Sequence, residues 1–214
     1  LVDADMSFHA IREYAPGDSR RQVHWKSTAK TGRLMVRQYE ESRRSRMAVV
    51  LGLATAEYGT DAEFELAVSA ASSLAVRAVH DARDLDIVVG AEIPRVVRGR
   101  LRAIRHIPTA SPRALLDGFS GVERFANTMA FADVCRLAAE ANERLSIAVI
   151  VTGSRVGLAA LRKAALAFPA DASVVAVVCD ERAHPRTQVV GALTVVTVGT
   201  LDDLAGLLLR GATS

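Results

Sequence analysis

Catalysis needs nucleophiles, acids, bases or metal ligands held close together, and this chain of 214 residues offers few such groupings. Cys179, Asp180, Glu181 and His184 form one cluster of potential metal-binding or acid–base side chains. The thiol closes an apolar run, so it reads as the end of a buried strand, with the three polar residues in a solvated loop. His9, His80 and His106 are isolated, and no Gly-x-Ser-x-Gly elbow marks a serine hydrolase. Gly153-Ser154-Arg155-Val156-Gly157 joins an apolar run to a helical one, and its backbone N–H groups could receive a phosphate. It is neither a Walker A motif nor a G-x-G-x-x-G fingerprint. A plain strand-to-helix turn explains it, and a small-molecule or phosphate-binding domain using Gly153–Gly157 is the alternative. No catalytic residue and no cofactor is assigned, and the chain is not expected to be an enzyme.

The elements that would position these residues follow from periodicity. Met47 to Leu53, Leu85 to Val89, Ser146 to Val151, Val174 to Cys179 and Leu193 to Val198 are short continuous apolar runs, as strands buried on both faces require. Phe64, Ala67, Val68, Ala71, Leu74, Ala75 and Ala78 recur at helical spacing and form one stripe, with Glu65, Ser69, Ser72 and Arg77 turned away from it. Helices are also predicted over Pro112 onward, Phe131 to Asn142, Val156 to Phe168 and Thr200 to Leu209. Residues 95–107 read as an antiparallel edge strand. The expected body, 47–214, is a three-layer α/β fold: a mostly parallel sheet with helices on both faces. Before it lies an arm, 1–46, expected to pack on the body as part of one domain. In the arm, Pro16-Gly17 makes a turn, Asp18 caps a short helix running to about Ala29, Gly32 ends it, and Leu34 to Tyr39 is extended.

Composition fits this picture. Half the residues are hydrophobic and 24% charged, which suits a globular core, while aromatics are only 5%, so Ala, Val and Leu must fill it. The net charge of +3 is uneven, since residues 1–46 hold ten Lys/Arg against six acids. Arg95, Arg98, Arg100, Arg102 and Arg105 form a second basic run. Such patches attract phosphate, nucleic acid or acidic proteins, yet few aromatics are present to stack bases, and nucleic acid is not the expected partner. Cys135 and Cys179 sit in apolar runs and read as core thiols. No run of about 20 apolar residues is present to span a bilayer. The chain begins with Leu1 rather than Met, so it is expected to be a fragment of a longer protein.

Arg12-Glu13-Tyr14, Gly17-Asp18, Arg21, Trp25-Lys26 and Leu34-Met35-Val36 occur in that order in the arm. This segment resembles the bacterial "domain of unknown function 58" family. The resemblance implies a von Willebrand factor A-like body. It also implies a membrane-associated bacterial protein, with membrane-spanning helices before Leu1 and this soluble portion on the cytoplasmic face of the cell membrane. A MoxR-type AAA+ ATPase is the implied partner. Within the arm, Arg12, Glu13, Asp18 and Arg21 are expected to pair and Trp25 to bury its ring, making a latch. Alternatively Arg21, His24 and Lys26 face outward and hold an acidic partner.

Von Willebrand A-like folds often carry a metal-ion-dependent adhesion site, built on Asp-x-Ser-x-Ser after the first strand and on a Thr and a second Asp from neighbouring loops. A hard divalent cation needs such anionic and hydroxyl oxygens. Here Gly52, Ala54 and Ala56 stand in the first motif and Gly153 stands for the second Asp, beside Thr152 and Ser154. The site is therefore expected to be degenerate and metal-free. The expected function is a non-enzymatic protein–protein interaction domain that makes contact through Gly52, Ala54, Thr55, Ala56, Thr152, Gly153, Ser154 and Arg155.

Overall fold

The computed structural model describes residues 6–16, 18–19, 23–41, 46–93, 104–142 and 144–211. The chain divides into two compact units, Leu1–Arg44 and Ser45–Ser214, each described here by itself.

In the first unit, strands β1 (Met6–Glu13) and β2 (Met35–Glu41) form an antiparallel ribbon. The seven-residue helix α1 (Trp25–Thr31) lies between them in sequence. Gly32 ends α1 as expected: it adopts φ +70°, and its N–H reaches Thr28 O at 2.9 Å. The helix start differs from expectation. Asp18 does not cap it. The helix begins at Trp25, with His24 in the cap position, six residues beyond Asp18. The Asp18 carboxylate instead takes both arms of the Arg12 guanidinium, at 2.7 and 2.6 Å, and the Ala15 N–H at 2.8 Å. The same hydrogen bonds lower the Asp18 pKa and raise that of Arg12. Glu13 pairs with Arg33. Trp25, expected to bury its ring, is 69% exposed. His24 bonds to Ser27 through Nδ1, and Lys26 is exposed. Gly17 and Arg21 lie outside the described residues.

The second unit has the expected layered architecture. Its seven-stranded sheet has the order β5-β4-β3-β6-β7-β9-β8. The strands are β3 (Arg46–Leu51), β4 (Asp84–Gly90), β5 (Ile104–His106), β6 (Ile147–Gly153), β7 (Ser173–Cys179), β8 (Arg186–Val190) and β9 (Leu193–Val198). All neighbours pair parallel except the two edges, β5 and β8. β5 is the expected antiparallel edge, although residues 94–103, which carry Arg95, Arg98, Arg100 and Arg102, lie outside the described residues. β8 was not anticipated. It forms a hairpin with β9 through Gly191-Ala192, where Gly191 adopts φ +63°.

Alternation along β3 sends Met47, Val49 and Leu51 to one face and Ala48 and Val50 to the other. On the first face α2 (Asp61–His80) buries Phe64, Ala67, Ala70, Ala71, Ala75 and Ala78, with α3 (Pro112–Ser120) and α6 (Leu201–Gly211) alongside. On the second, α4 (Phe131–Glu140) and α5 (Leu158–Ala165) cover Ala48, Val50, Ile150 and Val178. Ser111 caps α3 and Thr200 caps α6, as their positions predict. No described helix is long and apolar enough to cross a membrane.

Chain order reverses between β3 and β6. From β3 the sheet grows through β4 to β5, and from β6 it grows the other way through β7 and β9. At such a switch point neighbouring connections leave in opposite directions and open a crevice at the strands' carboxyl ends. Ile150, fully buried on β6, supports that point from below. Ile150→Ala should lower unfolding free energy by about 2–5 kcal/mol, read from the urea midpoint at unchanged slope.

Candidate functional site

The crevice at the switch point is bounded by Gly52, just after β3, and Gly153, the last residue of β6. Both are buried, and neither space is empty. A Cβ built on Gly52 would lie 1.8 Å from Glu57 Oε2. One on Gly153 would lie 2.4 Å from Tyr58 Cδ1 and 2.5 Å from the Glu57 carbonyl oxygen. The volume that side chains at these two positions would claim is taken by the segment 55–58.

That segment is a single 3-10 turn, Thr55–Glu57, followed by Tyr58. Its outer residues Thr55 and Ala56 are exposed, while Glu57 and Tyr58 point inward and are buried. Tyr58 donates its hydroxyl to the Gly52 carbonyl at 2.7 Å and sets its ring edge-on to Phe64, centroids 5.2 Å apart. Phe125 holds the approach to the segment, accepting from Thr55 N–H and donating to Leu53 O. Arg124 lies over the Phe64 ring and pairs with Asp61 at the start of α2.

Two buried carboxylates stand here. Glu63 is in the first turn of α2, whose cap is Thr60, an arrangement that resembles a capping box. Its carboxylate takes the Gly59 N–H at 2.7 Å, the Ser154 hydroxyl at 2.9 Å and the Ser154 N–H at 3.3 Å. It thus bridges α2 to the end of β6. Glu57 is less well served. The Thr152 hydroxyl reaches its carboxyl at 3.4 Å, and burial pushes its pKa up from 4.5 to about 7, an effect that Thr152 and the Ala54 backbone only partly offset. Burial also raises the Tyr58 hydroxyl, and the Glu57 charge adds to that rise.

The residues expected to form a contact surface separate into two sets. Thr55, Ala56, Ser154 and Arg155 are exposed, and Ala54 is half-buried. Gly52, Thr152 and Gly153 are buried and cannot touch a partner while the segment 55–58 is seated. The turn 153–157 has its N–H groups committed: Ser154 N donates to Glu63, Arg155 N to the Glu57 carbonyl at 3.1 Å, and Val156 N to Gly153 O. A phosphate there would displace these bonds and face the Glu63 carboxylate. Cys179 is fully buried at the end of β7, and burial pushes its thiol up to about 12, so it is a core residue. Asp180, Glu181 and His184 follow in a loop, and among the described residues no group of three or more His, Cys, Asp or Glu could hold a metal.

Sequence reasoning missed Glu57, Tyr58 and Glu63. The expected motif ends at Ala56, one residue before Glu57. Their presence does not rebuild an adhesion site. The two ligand positions are glycines, and the Glu57 and Glu63 oxygens bond to Thr152, Ser154 and Gly59. The residues therefore do not fit the divalent cation that the resemblance brings to mind.

The Glu57 carboxyl carries a pH signature. Its folded pKa lies above its ordinary value, so between about 4.5 and about 7 the folded chain keeps a proton that the unfolded chain has lost. Stability must fall as pH rises through that window, by on the order of 3 kcal/mol. Glu57→Gln mimics the protonated form and should remove this component. Urea midpoints taken from pH 4.5 to 8 should diverge, with the wild type losing ground to the variant as pH rises.

The family model described as "Protein of unknown function DUF58" matches residues 10–114. No curated protein matches the chain. A solved structure described as "von Willebrand factor type A from Catenulispora acidiphila" is similar at 12% identity and TM-score 0.41. The match covers 69% of this chain and 35% of that one, so this chain spans about a third of that protein's length. The resemblance read from the arm is thus shown: the DUF58 family model matches residues 10–114 of this chain.

Proposed function

We propose that this chain is a non-enzymatic protein–protein interaction domain of a membrane-associated bacterial protein, making contact through the rim formed by residues 54–56 and 154–157. One observation carries the reading: the crevice where an open α/β sheet receives a small ligand is filled by the chain's own Glu57 and Tyr58. What remains at that end is a surface of small, exposed residues, Thr55, Ala56 and Ser154, with Arg155 as its charged member. Such a surface suits a broad protein face. In this reading the adhesion site is degenerate and contact is made by side chains and backbone without a metal. The partner is a protein, with a MoxR-type AAA+ ATPase as the candidate. The full-length protein is anchored through a segment before Leu1, with this domain on the cytoplasmic face.

The test is binding of the purified chain to such an ATPase. Ala56→Arg combined with Arg155→Glu should weaken binding tenfold or more, about 1.4 kcal/mol, with an unchanged melting temperature. Binding that ignores these substitutions, or no binding at all, would count against this surface and this partner respectively.

A second measurement addresses the cation. Millimolar Mg²⁺ or Mn²⁺ should produce no saturable rise in melting temperature, because no binding means no linkage to folding. A saturable, stoichiometric rise would restore a metal-dependent contact.

A further inference from the structure

We propose that the segment Thr55–Tyr58 is a removable plug, seated in the crevice between β3 and β6 while Glu57 is neutral and loosened when Glu57 ionises.

The geometry sets the plug apart from an ordinary loop. Gly52 and Gly153 end adjacent strands, and at each the plug stands where a side chain would begin, at 1.8 Å and 2.4 Å. The contact at Gly52 is with the tip of a flexible side chain. At Gly153 it is with plug backbone as well, since the Glu57 carbonyl and Tyr58 Cα lie at 2.5 and 2.9 Å. The plug is fastened by a few discrete bonds: Tyr58 hydroxyl to Gly52 O, Arg155 N–H to Glu57 O, and Thr152 hydroxyl to the Glu57 carboxyl. Its outer side is in solvent at Thr55 and Ala56, and Gly59 beyond it is exposed. Withdrawing it uncovers Gly52, Thr152 and Gly153, the buried members of the expected site.

The groups around Glu57 support its charge only weakly: the Thr152 hydroxyl at 3.4 Å and the Ala54 backbone bond to it, and burial outweighs both. Within the plug it neighbours the Tyr58 phenol. From α4 comes Cys135, whose thiol is raised by burial and further by the Glu57 charge. The Glu63 carboxylate of α2 is bonded to Gly59 and Ser154, and Arg124 is paired with Asp61 over the Phe64 ring. A carboxylate formed in this place gains water by leaving it, and the bonds that hold the plug leave with it. Its proton comes off near neutrality, with a pKa of about 7, within reach of ordinary changes in pH.

Amide hydrogen exchange on the whole 214-residue chain, corrected for intrinsic rates, tests the plug between pH 5.5 and 8.5. The Glu57, Tyr58 and Arg155 amides should lose protection tenfold or more as pH rises, with a ceiling of about thirtyfold across this window set by the two pKa values. Amides within β3 and β6 should hold steady. Glu57→Gln should keep the plug amides protected throughout. Gly153→Ala, whose methyl meets the plug backbone at Glu57 and Tyr58, should leave them unprotected at every pH while amides within β3 stay protected. Protection of the wild-type plug that is independent of pH would overturn the proposal, as would an equal loss in Glu57→Gln or full protection in Gly153→Ala. Should a variant fail to fold, the carboxyl carbon-13 shift of wild-type Glu57 decides: titration near 7 in step with exchange supports the plug, and titration in the ordinary carboxylate range removes it.

Discussion

The steric fit between two glycines and one short turn governs this molecule's functional end. Gly52 and Gly153 lie at the ends of neighbouring parallel strands, and both are occupied from outside by Glu57 and Tyr58. A side chain at Gly153 and the seated turn exclude one another, and one at Gly52 would displace the Glu57 carboxyl. The topological switch creates the crevice. The two absent side chains let the chain fill it from within, and that filling buries a carboxyl with little to compensate it. Packing, electrostatics and surface shape at this end all follow from the same exclusion.

Much of the fold was legible because burial on both faces leaves an unmistakable record. Five apolar runs became the five parallel strands, and the alanine-rich stripe became the buried face of α2. The misses have physical causes. β8, Arg186–Val190, is largely exposed and carries no core-facing run, so nothing in its composition marks it as a strand. The signal for it was positional: Gly191-Ala192 separates it from the β-branched run of β9 by the two residues a tight hairpin needs. Asp18 is a good N-cap by type, but the helix begins only at Trp25, and Asp18 is held by Arg12 instead, a tertiary pairing that no propensity scale contains.

The candidate site was half legible. The two glycines were read as positions lacking a carboxylate, and that reading left out the Glu57 and Tyr58 that fill the space beside them. Acidic residues are usually exposed, so nothing local announces that Glu57 folds inward. Glu63 gave a clearer sign. Thr60-Asp61-Ala62-Glu63 has the spacing of a capping box, which predicts a local bond. The structure keeps the Thr60 half of that box and sends the Glu63 carboxylate on to Ser154, 91 residues away in sequence. A pattern that reads as helix initiation also ties a helix to a distant strand.

The alanine stripe of α2 has a mechanical consequence. Ala67, Ala70, Ala71, Ala75 and Ala78 bring its backbone close to the sheet with almost no intervening side-chain volume. A rod seated so closely has no slack, and an added methyl group anywhere along it must lift or tilt the whole. Glu63 rides at one end of that rod. Substitutions one to four turns away can therefore shift the carboxylate on Ser154 without touching the rim, so the position of that rim depends on packing far from it.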